Sequence, residues 1–79
     1  MSNLERYNTV FTSVFNVELD ALTNDFSSET VDNWDSITQL SLVTDIEDEF
    51  DIMLDTEDIL EFKSYEIGKK IVAKYDIEL

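Results

Sequence analysis

Apolar residues recur at helical spacing in three long segments of the chain and one short one, and nowhere alternate with the period of two that marks a strand. In the first segment Leu4, Tyr7, Val10, Phe11, Val14 and Phe15 follow Ser2 and Glu5. A serine with a glutamate three residues on is a capping-box signature, so a first helix is expected over roughly Asn3 to Phe15, its aromatic stripe in the core. In the second, Ser36 is placed to act as N-cap and Gln39 to reach back as the other half of a capping box. At roughly 100° per residue, Gln39, Leu42, Val43, Ile46 and Phe50 share one arc, the core face. Ile37, Ser41, Thr44, Asp45 and Asp48 fall on the opposite arc, so Ile37 is an apolar residue on an otherwise polar, acidic surface.

After Phe50, the segment Asp51-Ile52-Met53-Leu54 is a short apolar link. Asp55 or Thr56 is expected to cap a brief third helix ending near Leu60 or Glu61, with Asp55, Glu57 and Asp58 suited to its positive end. Ser64 then caps a last helix carrying Tyr65, Ile67, Ile71, Val72 and Tyr75, with Lys69, Lys70 and Lys74 toward its negative end. Gly68 falls inside this helix, where it costs about 1 kcal/mol relative to alanine. Close packing against a neighbouring helix is the expected compensation. Between Asn16 and Asp35 the periodicity weakens, and Leu19, Leu22, Phe26 and Val31 are expected to tack a long connection onto the core. The fold class is therefore all-α: a small four-helix bundle of three longer helices and one short helix, with a long loop between helices 1 and 2.

Seventy-nine residues make one domain, spanning 1–79, near the lower limit for a self-sufficient core. There is no Cys, which removes disulfides and thiolate metal sites, and no His, which removes the commonest metal ligand and general base. An ordinary hydrolase or zinc enzyme is thereby disfavoured. The acids Asp45, Glu47, Asp48 and Glu49 lack the glycine of an EF-hand loop, so no metal site is expected. The net charge is −14, and between Tyr7 and Phe62 there is no Lys or Arg. Such a surface repels nucleic acid and anionic lipid and attracts basic protein patches. No apolar run reaches a membrane span, and the first residues lack the order of a signal peptide, so a cytoplasmic monomer is expected.

The triplet Asp35-Ser36-Ile37 opens an acidic helix that runs through Glu47-Asp48-Glu49 into Phe50-Asp51-Ile52. From Asp35 to about Asp58 this order and spacing resembles the acyl carrier proteins. The resemblance implies that Ser36 is esterified by the phosphate of 4′-phosphopantetheine from coenzyme A, whose thiol carries acyl groups as thioesters. It also implies a phosphopantetheinyl transferase as partner, together with acyl-loading and acyl-accepting enzymes with basic docking patches, in fatty acid, lipid, polyketide or related biosynthesis. Asp35, Ile37, Thr44, Asp45, Glu47 and Asp48 are the expected docking residues. The family usually has acids where this chain has Thr38 and Ser41, and often a glycine where it has Asn33. The Trp34-Asp35-Ser36 variant is similar to free-standing carriers of specialised pathways.

Nothing near Ser36 in sequence activates it as a nucleophile. The resemblance implies that it is a position to be modified by a partner enzyme, and a carrier rather than an enzyme is expected. A helix N-terminus also suits a phosphodiester anion. Trp34 either recognises a partner or covers the end of the bundle, and its large area favours the second. The alternative from another class is an unmodified acidic helical interaction module that binds a basic protein partner.

Overall fold

The structure, a computed structural model, describes residues 2–79. Three of its four α-helices start where side chains replace hydrogen bonds that a first turn lacks. Ser2 Oγ accepts from the Glu5 backbone N–H and Glu5 Oε1 from the Ser2 N–H, each at 3.1 Å, closing the expected capping box of α1 (Asn3–Phe15). Ser64 Oγ accepts from the Ile67 N–H at 2.9 Å and opens α4 (Tyr65–Ala73).

In α2 (Ser36–Phe50) the capping, though not the start, corrects the expectation drawn from the sequence. Asp35, not Ser36, is the N-cap: its Oδ1 accepts from the Thr38 N–H at 2.8 Å, and Ser36 is the first helical residue. Of two adjacent residues able to cap, the carboxylate is the stronger acceptor and brings negative charge to the positive helix end. Gln39 closes no capping box. Its side chain is turned inward, taking a hydrogen bond from Trp34 Nε1 and donating to the carbonyls of Ile59 at 2.9 Å and Phe62 at 2.6 Å.

Neither α1 nor α2 is followed by a glycine. Each ends on a residue in the left-handed region, Asn16 at φ 54° and Asp51 at φ 53°. Asn and Asp are the side chains that best tolerate this geometry. Arg6, near the start of α1, pairs with Glu49 near the end of α2, while the Phe15 ring packs, tilted, 4.9 Å from that of Trp34 at the opposite end. The two helices are therefore antiparallel. Their apolar stripes meet in a core built around Phe11, which has the rings of Tyr7, Phe15, Phe26, Trp34, Phe62 and Tyr65 within 6.2 Å between centroids. The α2 face expected to be buried supplies Leu42, Val43, Ile46 and Phe50.

The long connection contains one 3-10 turn, Leu19–Ala21. Leu22 and Val31 pack against the core and Phe26 is buried, as expected, but Leu19 is 62% exposed. The tight turn directs Ala21 and Leu22 inward and leaves Leu19 outside. Further along, Ser28 N–H donates to the Lys63 carbonyl at 2.8 Å and Tyr65 N–H to the Phe26 carbonyl at 2.9 Å. This short antiparallel bridge ties the connection to the link between α3 (Thr56–Glu61) and α4. Trp34 covers the end of the bundle.

Helix α3 has only six residues, and its N-cap Asp55 makes no side-chain capping bond. It is held from outside by the Gln39 amide and, through its own Asp58, by Lys74 and Tyr75. Asp58 was expected to serve only the helix dipole; it is instead buried, accepting from Lys74 Nζ and from the Tyr75 hydroxyl. In α4, a Cβ built on Gly68 would lie 2.3 Å from the Tyr7 hydroxyl oxygen and 2.5 Å from Phe62 Cζ, so the expected close packing is present. Among the described residues there are four α-helices and no strands, and no helix is long and apolar enough to cross a membrane.

Candidate functional site

Ser36 occupies the first turn of α2 and is exposed. Because Asp35 caps the helix, the Ser36 hydroxyl is not needed to hold that end together. The Thr38 N–H bond holds the Asp35 carboxyl below the usual carboxylate range, so Asp35 stands ionised beside the serine with one oxygen already engaged. A carboxylate stabilised in this way is a poor proton acceptor, and the pair is not arranged as a nucleophile with its base.

Two surfaces flank Ser36. One is the outer face of α2, where Ile37 is 77% exposed and Ser41, Thr44, Asp45 and Asp48 are exposed. Ile37, Ser41, Thr44 and Asp48 follow one another at steps of four, three and four residues, forming a single stripe along the helix. Five of the six expected docking residues, Asp35, Ile37, Thr44, Asp45 and Asp48, are accessible. Glu47 differs: it is half-buried, and its Oε2 accepts from the Leu54 N–H at 2.8 Å, securing the turn from α2 toward α3. That carboxylate is committed to the fold.

The other surface is a cleft of about 620 Å³ between the start of α2 and α3, lined by Trp34, Asp35, Ser36, Leu40, Ile59, Leu60 and Lys63, among others. Leu40 and Leu60 are 62% and 65% exposed, an unusual degree for leucines facing each other across a groove. Sequence reading missed this cleft. The signal for Leu40 was its position off the core arc of α2; Leu60 and Lys63 gave none, since only folding brings residues more than twenty positions away beside Ser36. The floor of the cleft is rigid, because Gln39 hydrogen-bonds the Ile59 and Phe62 carbonyls beneath it and the buried Trp34 indole on its other side.

The remaining ion pairs lie elsewhere. Arg6 Nε meets Glu49 Oε2 at 3.1 Å and its guanidinium lies over the Phe50 ring, Lys69 pairs with Glu66 at 3.1 Å over the Tyr65 ring, and Lys74 pairs with Asp58. Among the described residues no cluster of three or more acids has metal-binding geometry. No family model matches the chain, and no curated protein matches it.

Proposed function

We propose that this chain is a carrier protein of the acyl-carrier type, modified on Ser36 by 4′-phosphopantetheine and docked by its partner enzymes along the outer face of α2. The observation that carries this reading is an exposed serine on the first turn of α2, spared from capping by Asp35 and set between an apolar cleft and a polar stripe that begins with exposed Ile37 and turns acidic at Asp45 and Asp48. An attachment point must be reachable by a modifying enzyme and dispensable to the fold, and Ser36 meets both conditions. The prosthetic group, when bound, supplies a thiol for thioester chemistry.

This chain's own residues have simpler tasks. Ser36 Oγ would gain one bond to the phosphorus of the phosphopantetheinyl group as the pyrophosphate linkage of coenzyme A breaks; adenosine 3′,5′-bisphosphate leaves with the bridging oxygen, and the transferase takes up the hydroxyl proton. The helix N-terminus favours the resulting phosphodiester anion. Ile37 offers an apolar anchor, while Asp45 and Asp48 attract a basic patch at longer range. With acids absent at Thr38 and Ser41, the attraction comes from farther along α2 than in the family this chain resembles.

The acidic stripe also supports a second reading, an unmodified module that binds a basic protein. Incubation with coenzyme A, magnesium and a phosphopantetheinyl transferase, followed by intact-mass measurement, separates the two. A gain of one phosphopantetheinyl group is the expected result; an unchanged mass with several transferases of broad specificity favours the interaction module.

A further inference from the structure

The chain has five basic residues against 19 acidic ones, so a cation without an acidic partner is conspicuous. Arg6, Lys69 and Lys74 are paired, and Lys70 sits in the last turn of α4, where the helix dipole accounts for it. Lys63 is exposed and forms no ion pair among the described residues; it lies just past the end of the six-residue α3, whose short dipole favours a cation there but gives the ammonium no carboxylate partner.

Its backbone, by contrast, is tightly fixed. The Lys63 carbonyl accepts from Ser28 N–H at 2.8 Å, and the carbonyl of the preceding Phe62 accepts from Gln39 Nε2 at 2.6 Å. Gln39 is three residues from Ser36, a helical neighbour with about 5–6 Å between Cβ atoms. One side-chain hydrogen bond and one helical turn thus connect Lys63 to Ser36, and the two line the same cleft. The only carboxylate lining that cleft is Asp35, already bonded to the Thr38 N–H. An anion created at Ser36 would therefore share the cleft with one like charge, Asp35, and one cation, Lys63.

We propose that Lys63 is a positioning residue for the phosphodiester on Ser36, its ammonium pairing with the phosphate oxygens and turning the attached arm over the cleft of Leu40, Ile59 and Leu60 rather than along the outer face of α2. Lysine suits this task as a mobile point charge on a flexible stem, able to hold a phosphate without the fixed geometry of a guanidinium. The pairing is exposed and is screened by salt, so it biases the arm between two orientations by about two- to fivefold. That bias leaves the arm free to swing out to an enzyme on the other face.

This inference rests on the carrier reading, and its test keeps the two apart. Wild-type chain, Lys63→Ala and Lys63→Arg are each treated with transferase and coenzyme A, and intact mass reports loading. Phosphorus NMR of the loaded proteins then follows the phosphodiester, and proton–carbon spectra follow the methyl groups of Leu40, Ile59 and Leu60. In loaded wild type, the cleft methyls shift relative to the unloaded protein, and these shifts and the phosphorus resonance move toward free-arm values as salt rises. Lys63→Ala should lose at least half of the methyl shifts at low salt, and Lys63→Arg should restore them. Full retention of the shifts in loaded Lys63→Ala, or no cleft shift in loaded wild type, overturns the role of Lys63 while leaving the carrier function intact. Failure of wild type to load removes the carrier reading, and the role of Lys63 falls with it.

Discussion

Helices α1 and α3 belong to one bundle but are held in it by opposite means. Four of the thirteen residues of α1 are buried, all of them apolar or aromatic, and its rings interlock with those of Trp34, Phe26, Phe62 and Tyr65. The only buried residue of α3 is a carboxylate, Asp58; of its two large apolar side chains, Ile59 is half-buried against the core and Leu60 is exposed. A six-residue helix is far too short to persist alone, so α3 depends on hydrogen bonds from Gln39, Lys74 and Tyr75. Burial of apolar area does not titrate, whereas a buried carboxylate tether does. The half of the molecule bordering the Ser36 cleft, which relies on Asp58, is therefore expected to loosen first in acid.

The sharpest break on the aromatic side is Phe11→Ala. Deleting a fully buried ring costs about 3–5 kcal/mol, a large share of what a small domain has. Chemical denaturation should find the variant close to unfolding, and a loss below about 1 kcal/mol would mean that the aromatic cluster is not the main support. Gly68→Ala should come next. The alanine gains about 1 kcal/mol of helix propensity, but its methyl would meet Tyr7 and Phe62 well inside contact distance. Tyr7 also donates its hydroxyl to the Tyr65 carbonyl at 2.7 Å and has little room to yield. Overpacking of this kind costs about 1–3 kcal/mol, so a lowered midpoint is expected, and a raised one would show that the contact is soft.

On the polar side the lever is pH. The Lys74 ammonium, then the Tyr75 hydroxyl, hold the Asp58 carboxyl below its ordinary range. Its folded value lies below its unfolded one, so its contribution is present above the ordinary carboxylate pKa of about 4 and is lost as pH falls through the depressed value. Amide exchange should then show α3 opening in acid before α1. Asp58→Asn should bring that opening to neutral pH and lower the thermal midpoint by a few degrees. Loosening of α1 and α3 together in acid would remove the distinction between the two regions. Smallest of all is the effect of salt on the whole molecule. Screening of a net charge of −14 should raise the midpoint slightly, and magnesium should act at lower concentration than sodium, since a divalent ion binds dense carboxylates better. A flat or falling midpoint would contradict this.

The same contrast decides what was legible in the sequence. The bounds of α1 follow from Ser2, Glu5 and the aromatic stripe, all within one stretch of chain, and the structure agrees with them. The start of α4 at Ser64 and the close packing at Gly68 were equally local. Leu19 was misjudged because apolar character alone does not say which way a tight turn points. Asp35 was passed over as cap because two capping residues stood side by side, and the pattern does not rank them. Gln39 falls on the core arc and is turned inward, but its partners, and those of Asp58, were illegible in a stronger sense. They depend on Phe62 and Lys74, neither of which is a helical neighbour, and polar tertiary contacts leave no periodicity to read.

The capping correction also sharpens the test of the central claim, that Ser36 is the attachment point. Since Asp35 is the cap, Asp35→Ala should cost about 1 kcal/mol, whereas Ser36→Ala should leave helical content and thermal midpoint nearly unchanged. Any failure of Ser36→Ala to react then reports on chemistry and not on folding. The decisive measurement is fragment-resolved mass spectrometry of wild type and Ser36→Ala after treatment with coenzyme A, magnesium and a phosphopantetheinyl transferase. One phosphopantetheinyl group on the wild-type fragment containing Ser36, and none anywhere on folded Ser36→Ala, is the predicted result. Modification that persists in Ser36→Ala, or that maps to Ser28 or Ser41 in wild type, would contradict the assignment.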